Sequence, residues 1–129
     1  MNQWLGKKSE IFYVSFRIVA GLLFACHGAQ KLFGMFSARD PVSDPLLITA
    51  GIIEFLAGFF VLLGFRAGYA AFIASGQMAV AYFKVHAPQG FWPINNNGEL
   101  AVLYCFIFLY IASRGSGRLS VDRTILNRK

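Results

Sequence analysis

Four long apolar runs divide the chain: Ile11 to Phe33, Leu46 to Gly64, Ala67 to Val85 and Glu99 to Ser113. Segments rich in glycine, proline and charge separate them. A hydrocarbon core about 30 Å thick is crossed by roughly 20 helical residues at about 1.5 Å each. The runs reach or approach that length, the fourth when extended slightly at its ends. Unpaired strand edges and irregular backbone are excluded from lipid, so each run predicts a helix. The expectation is an all-α integral membrane four-helix bundle in a single domain over 1–129. Its helices fall at 11–33, 46–64, 67–85 and 98–114, and a polar basic tail at 115–129 follows them.

The connections differ in kind. Gly34 to Pro45 is polar and proline-broken, whereas Gly64, Phe65 and Arg66 make a tight turn that sets the second and third helices antiparallel. His86 to Gly98 is longer and carries Phe91 and Trp92, aromatic residues suited to the depth of a membrane interface. Lys7, Lys8, Arg17, Arg66, Arg114, Arg118, Arg123, Arg128 and Lys129 fall on one side of the four segments, against Lys31, Arg39 and Lys84 on the other. By the positive-inside rule both termini are cytoplasmic, and the two longer loops face the periplasm or cell exterior.

Composition supports the bilayer as solvent. Hydrophobic residues make up 57% of the chain, charged residues 14%, and the mean hydropathy is +0.55. A soluble domain carries about 25% charged residues. The net charge of +6 does not point to nucleic acid, because the cations sit at segment ends and form no basic run interleaved with aromatics. Lys7 and Lys8 ahead of an apolar run ending in Leu23, Phe24, Ala25 and Cys26 loosely resemble a lipoprotein leader. Phe24 beside the cleavage position and Arg17 within the run favour an uncleaved first helix.

Charge inside a spanning helix costs about 2.5–3.5 kcal/mol on insertion scales, so residues placed there have partners or work to do. The first helix carries Arg17, His27 and Lys31, the second Glu54, the third Gln77 and Lys84, and Glu99 opens the fourth. Helical rise puts Glu54 about 9 Å above Arg17 and about 6 Å below His27, within reach of either. Gly51 and Gly58 share the face of Glu54. Ala70, Ala74, Gln77, Ala81 and Lys84 form a second smooth face on the third helix, predicted to meet the first face or to line one cavity with it. Two readings stand side by side: Arg17 and Glu54 as a structural lock between helices, or Arg17, His27 and Glu54 as the catalytic set.

Lys31, Lys84, His86 and Glu99 gather with His27 at the outer mouth. They serve as interfacial anchors or, with Gln77, as ligand-binding groups. Two histidines and a glutamate at this spacing carry no specific metal signature, so no metal site is assigned. Cys26 and Cys105 come out level, at about 22 and 20 Å from the inner side. A thiol pair is geometrically open there, and two small buried hydrophobes are the simpler reading. There is no CxxC spacing.

The string Gly21 to Gly34 (GLLFACHGAQKLFG) is followed by Gly51 to Gly64 (GIIEFLAGFFVLLG), Met78 to Phe83, then His86, Gly90 and Phe91, Asn97 to Leu100 (NGEL) and Gly117 to Asp122 (GRLSVD). This order resembles the DoxX family of small bacterial four-helix membrane proteins, over roughly residues 13–123. The resemblance implies the same four helices, and it matches Arg17, His27, Lys31, Glu54, His86 and Glu99 to characteristic positions. It implies a broad range of function: relatives include a subunit of archaeal thiosulfate:quinone oxidoreductase, proteins of thiol and oxidative-stress handling, and many without an assigned activity. The leading expectation is a multi-pass membrane subunit of a redox assembly that binds a quinone or similar molecule between its helices. No haem, flavin or iron–sulfur motif occurs, so electrons would come from partner redox subunits or from the substrate. The alternatives are a non-catalytic scaffold subunit and a small-solute or proton transporter.

Overall fold

The computed structural model describes residues 2–127, and no strand occurs among them. Arg128 and Lys129, two of the inner-side cations counted above, lie outside the described residues. A short α1 (Asn2–Lys7) leads into α2 (Ser9–Phe33), followed by α3 (Pro45–Leu63), α4 (Ala67–Ala81), a single turn α5 (Pro93–Asn96), α6 (Glu99–Arg114) and α7 (Val121–Ile125). The helix ends follow local chemistry. Gly34 and Gly64 close α2 and α3 in the left-handed conformation. The Asp44 carboxylate accepts from the N–H groups of Leu46 and Leu47 at 2.8 and 3.2 Å, with Pro45 at the first helical position.

The run expected to be helical over 67–85 does not stay α-helical. From Tyr82 to His86 it widens into a π turn, then tightens into one 3-10 turn at Ala87–Gln89. Pro88 cannot donate to a continuing ladder, and both ends of the widened turn are tied into the following loop. The Tyr82 hydroxyl donates to the Phe91 carbonyl, and the His86 ring contacts the Asn96 carbonyl at 3.0 Å. Asn96, 1% exposed, organises that loop: its amide donates to the Gly90 carbonyl at 2.6 Å and accepts from the Gly98 N–H at 2.8 Å. The tail after Arg114 is also more ordered than its composition suggests. α7 is capped by the Ser120 hydroxyl, and Asp122 bridges back to the α3–α4 turn through the Arg66 N–H at 2.8 Å.

The long helices pack as two close pairs, α2 with α3 and α4 with α6, with α3 against α4 joining them, while α2 and α6 stand farther apart and meet through long side chains such as Tyr13 and Phe16 against Tyr110. Glycine sets the first pair. A Cβ added to Gly21 would stand 2.5 Å from the Leu62 backbone nitrogen, and added to Gly28 or Gly58 it would collide with the backbone of Phe55 or Ala25. In lipid such close backbone approach, rather than water exclusion, drives helix association. These contacts correct one of the two expectations for the Gly51 and Gly58 face: its glycines pack on α2, where Leu32 and Lys31 flank Gly51 and Ala25 meets Gly58, while Glu54 of that face lines one cavity with Gln77, Ala81 and Lys84 of α4 and the turn that follows it. Phe24 of α2 reaches across to α6, its ring centroid 4.5 Å from Phe108 and 5.4 Å from Tyr104. Ser75 joins α4 to α6 through the Cys105 carbonyl at 2.8 Å.

Apolar side chains cover the outside, with Phe72, Phe83, Phe106 and Leu103 all more than half exposed. Two of the helices, Ser9–Phe33 and Pro45–Leu63, are long and apolar enough to cross a membrane.

Candidate functional site: a polar-floored cavity between the helix pairs

Because the backbones of α2 and α6 stand farther apart than those of α3 and α4, a cavity of about 570 Å³ opens between the two pairs. Glu54 lies at its floor with 1% of its side chain exposed. Lys31 Nζ donates to both carboxylate oxygens, at 2.5 and 2.6 Å, and Gln77 Nε2 donates to Oε1 at 3.1 Å. The acidic partner thus comes from α3, the cation from α2 and the amide from α4. A carboxylate only accepts, so the Gln77 amide must present its NH₂ to Glu54. That leaves Gln77 Oε1 buried without a hydrogen-bond partner.

His27 also lines the cavity, its ring edge-on to Tyr104 at 5.9 Å between centroids. His86 borders it from the π turn. The Asn96 carbonyl can only accept, so His86 Nδ1 carries a proton and Nε2 is the ring's remaining polar atom. Leu46, Ile53, Ile73, Met78 and Leu100 supply apolar walls. Several of these walls continue onto the exposed outer surface, Leu46 at 51%, Ile73 at 57% and Leu100 at 50%, so the cavity opens sideways as well as at its mouth.

Of the residues singled out in the sequence, His27, Lys31, Glu54, Gln77 and His86 come together here, along with Lys84. Arg17 and Glu99 do not. Arg17 was placed within reach of Glu54, but its guanidinium donates instead to the carbonyls of Val61 at 2.8 Å, Leu62 at 3.2 Å and Leu119 at 2.6 Å. The reason is register. The glycine contacts set Gly21 beside Leu62 and Gly28 beside Phe55, which places Arg17 level with the end of α3, roughly 18 Å from the level of Glu54. There it satisfies the Leu62 carbonyl, adds to the Gly64 N–H on that of Val61, complements the partial negative charge of a helix C-terminus and holds the tail against it. Glu99 lines a separate shallow pocket with Pro93 and Ile94 and does not join the two histidines. Cys26 and Cys105 are both free thiols, and Cys105 Sγ lies 3.5 Å from the Ser75 hydroxyl.

Tyr104 and Phe24 were not foreseen as cavity residues. Ala101, Tyr104, Phe108 and Ile111 are the buried stripe of α6, at helical spacing, and that periodicity was the available signal. For Phe24 no signal exists, since thirteen other phenylalanines share its character.

Helices throughout, two of them long and apolar enough to span a membrane, frame a polar-floored cavity between apolar walls. Residues 12–87 match the DoxX family. The chain is 38% identical to an uncharacterized protein of Haemophilus influenzae over 96% of this chain and 98% of that one. A second uncharacterized protein of the same organism is 26% identical over 56% of this chain and 48% of its own length. No solved structure matches significantly. The chain belongs to the DoxX family.

Proposed function

We propose that the chain is a multi-pass inner-membrane protein whose four long helices all cross the bilayer with both termini cytoplasmic, and that it binds a quinone between its helix pairs as the membrane subunit of a redox assembly. The observation that carries this reading is the cavity itself: about 570 Å³, apolar-walled and open toward the lipid side, with one buried cluster of donors and acceptors at its floor. That is the form of a site for a drug-sized apolar molecule with a polar head.

The residues fit such a head. A quinone carbonyl accepts hydrogen bonds, which the Lys31 ammonium and the His27 ring supply. A quinol hydroxyl donates, and Gln77 Oε1 is a buried acceptor that lacks a donor. Tyr104 and Phe24 offer faces and edges for the ring. A bound quinone would supply two-electron, two-proton chemistry. For its part the chain orients the head by hydrogen bonds, excludes water through apolar walls, and places the Glu54 carboxylate to hold a proton near the head.

The test is extraction. Protein purified in mild detergent should carry a prenylquinone detectable by mass spectrometry, and a short-chain quinone should raise the melting temperature of stripped protein. Glu54→Gln and Lys31→Met should each weaken that shift by about tenfold in concentration, the effect of one charge-assisted hydrogen bond. Absence of any prenylquinone together with no shift from added quinone would leave the scaffold reading in its place. Substrate-dependent uptake into vesicles holding only this protein would instead favour transport.

A further inference from the structure

We infer that an arginine-lined groove at the opposite end of the molecule binds the phosphodiester headgroup of an anionic phospholipid. The groove, of about 740 Å³, lies between the inner ends of α4 and α6 and is closed by the tail. Arg66, Arg114, Arg118 and Arg123 line it, against Glu10 and Asp122, four positive charges to two negative. Both acids are already engaged. Glu10 accepts from the Arg114 guanidinium and from the Arg118 N–H, each at 2.7 Å. Asp122 Oδ2 accepts from the Arg66 N–H at 2.8 Å and the Ser116 hydroxyl at 2.5 Å, while its Oδ1 is buried without a partner. Among the described residues, the guanidiniums of Arg66, Arg118 and Arg123 have no ion-pair partner.

The positive-inside rule asks only that cations lie on one side of a membrane. It does not ask that they converge on one groove. Here they do, because α4 starts at Arg66, α6 ends at Arg114, and the glycine turns at Gly115 and Gly117, both at positive φ, fold the tail back between them. The groove is also amphipathic. Tyr69 and Phe72, one turn apart on α4 and 74% and 66% exposed, line its wall and continue away from the arginines along the helix. Planar guanidiniums match phosphate oxygens in pairs, and the aromatic wall suits the start of an acyl chain. Anionic lipids fit and zwitterionic ones do not, since an ethanolamine or choline ammonium would face the same arginines. The inference rests on the bilayer-spanning reading above.

The experiment is native mass spectrometry of the full chain in mild detergent with phosphatidylglycerol, phosphatidylethanolamine or glycerol 3-phosphate added. Phosphatidylglycerol should bind about tenfold or more in excess of phosphatidylethanolamine. The Arg66→Gln, Arg118→Gln, Arg123→Gln triple variant should lose that preference, and the Lys7→Gln, Lys8→Gln, Arg39→Gln variant, with equal charge removed outside the groove, should keep it. Arg118→Gln and Arg123→Gln alone, both at exposed positions, should each lower it stepwise even if the triple variant folds poorly. Equal binding of the two lipids, an unchanged preference in the groove variants, or displacement of the lipid by glycerol 3-phosphate would overturn the proposal. Alkaline carbonate separates the two readings: protein that stays in the membrane but shows no preference sinks only the lipid site, whereas release by carbonate sinks the membrane reading itself.

Discussion

Removing the charge at Glu54 tests the floor of the cavity directly. Glu54 is 1% exposed and accepts three hydrogen bonds, two from the Lys31 ammonium and one from Gln77. Glutamine at this position keeps the shape but turns one acceptor into a donor, facing either the ammonium or the Gln77 amide. Hydrogen bonds to charged groups contribute about 1.5–3 kcal/mol against about 0.5–1.5 for neutral ones. Lys31, 30% exposed, can swing part of its ammonium toward water, which holds the cost of Glu54→Gln to about 2 kcal/mol. Lys31→Met is worse. It leaves a nearly inaccessible carboxylate with only Gln77, and a buried charge stripped of its partner costs about 3–5 kcal/mol. The double variant should cost less than the sum of the singles, with a coupling energy of roughly 2 kcal/mol. Reversible unfolding by sodium dodecyl sulfate in mixed micelles reads all four corners of the cycle. Additivity within about 0.5 kcal/mol would refute the pairing and the reasoning built on it.

Two further predictions concern the frame around the cavity. Gly28→Ala should destabilise by about 1–3 kcal/mol because its Cβ meets the backbone of Phe55, whereas Gly76→Ala, with nothing within 4 Å, should be neutral or stabilise by up to about 1 kcal/mol; the same titration checks both. Arg17→Met removes the guanidinium from three carbonyls, of which only that of Val61 keeps a backbone donor, the Gly64 N–H, so the tail should come away from α3 and trypsin cleavage after Arg118 or Arg123 should accelerate by about tenfold or more, an unchanged rate counting against the clamp.

The helices were legible because long apolar runs broken by glycine and proline leave little choice. Gly34, Pro45 and Gly64 mark the ends of the first two runs by conformational restriction alone, and in lipid such runs have no alternative to a helix. Glu54, Lys31 and Gln77 were each legible as residues in need of a partner, because charge and amides are costly among apolar residues, but the sequence paired Glu54 with Arg17 or His27 and set Lys31 apart at the outer mouth. Which partner was not legible. Depth counted along separate helices assumes a register, and two helices slide past each other by a turn or more without altering either sequence pattern. The glycine contacts of α2 and α3 fixed that register, gave Glu54 to Lys31, and sent Arg17 to the end of α3. The inner groove was out of reach for a similar reason. Its four arginines are spread from residue 66 to residue 123, and only the folding of the tail across α4 and α6 makes them neighbours. Composition and periodicity are properties of one helix at a time and are written in the sequence. The cavity and the groove are properties of gaps between helices, and tertiary packing alone decides those.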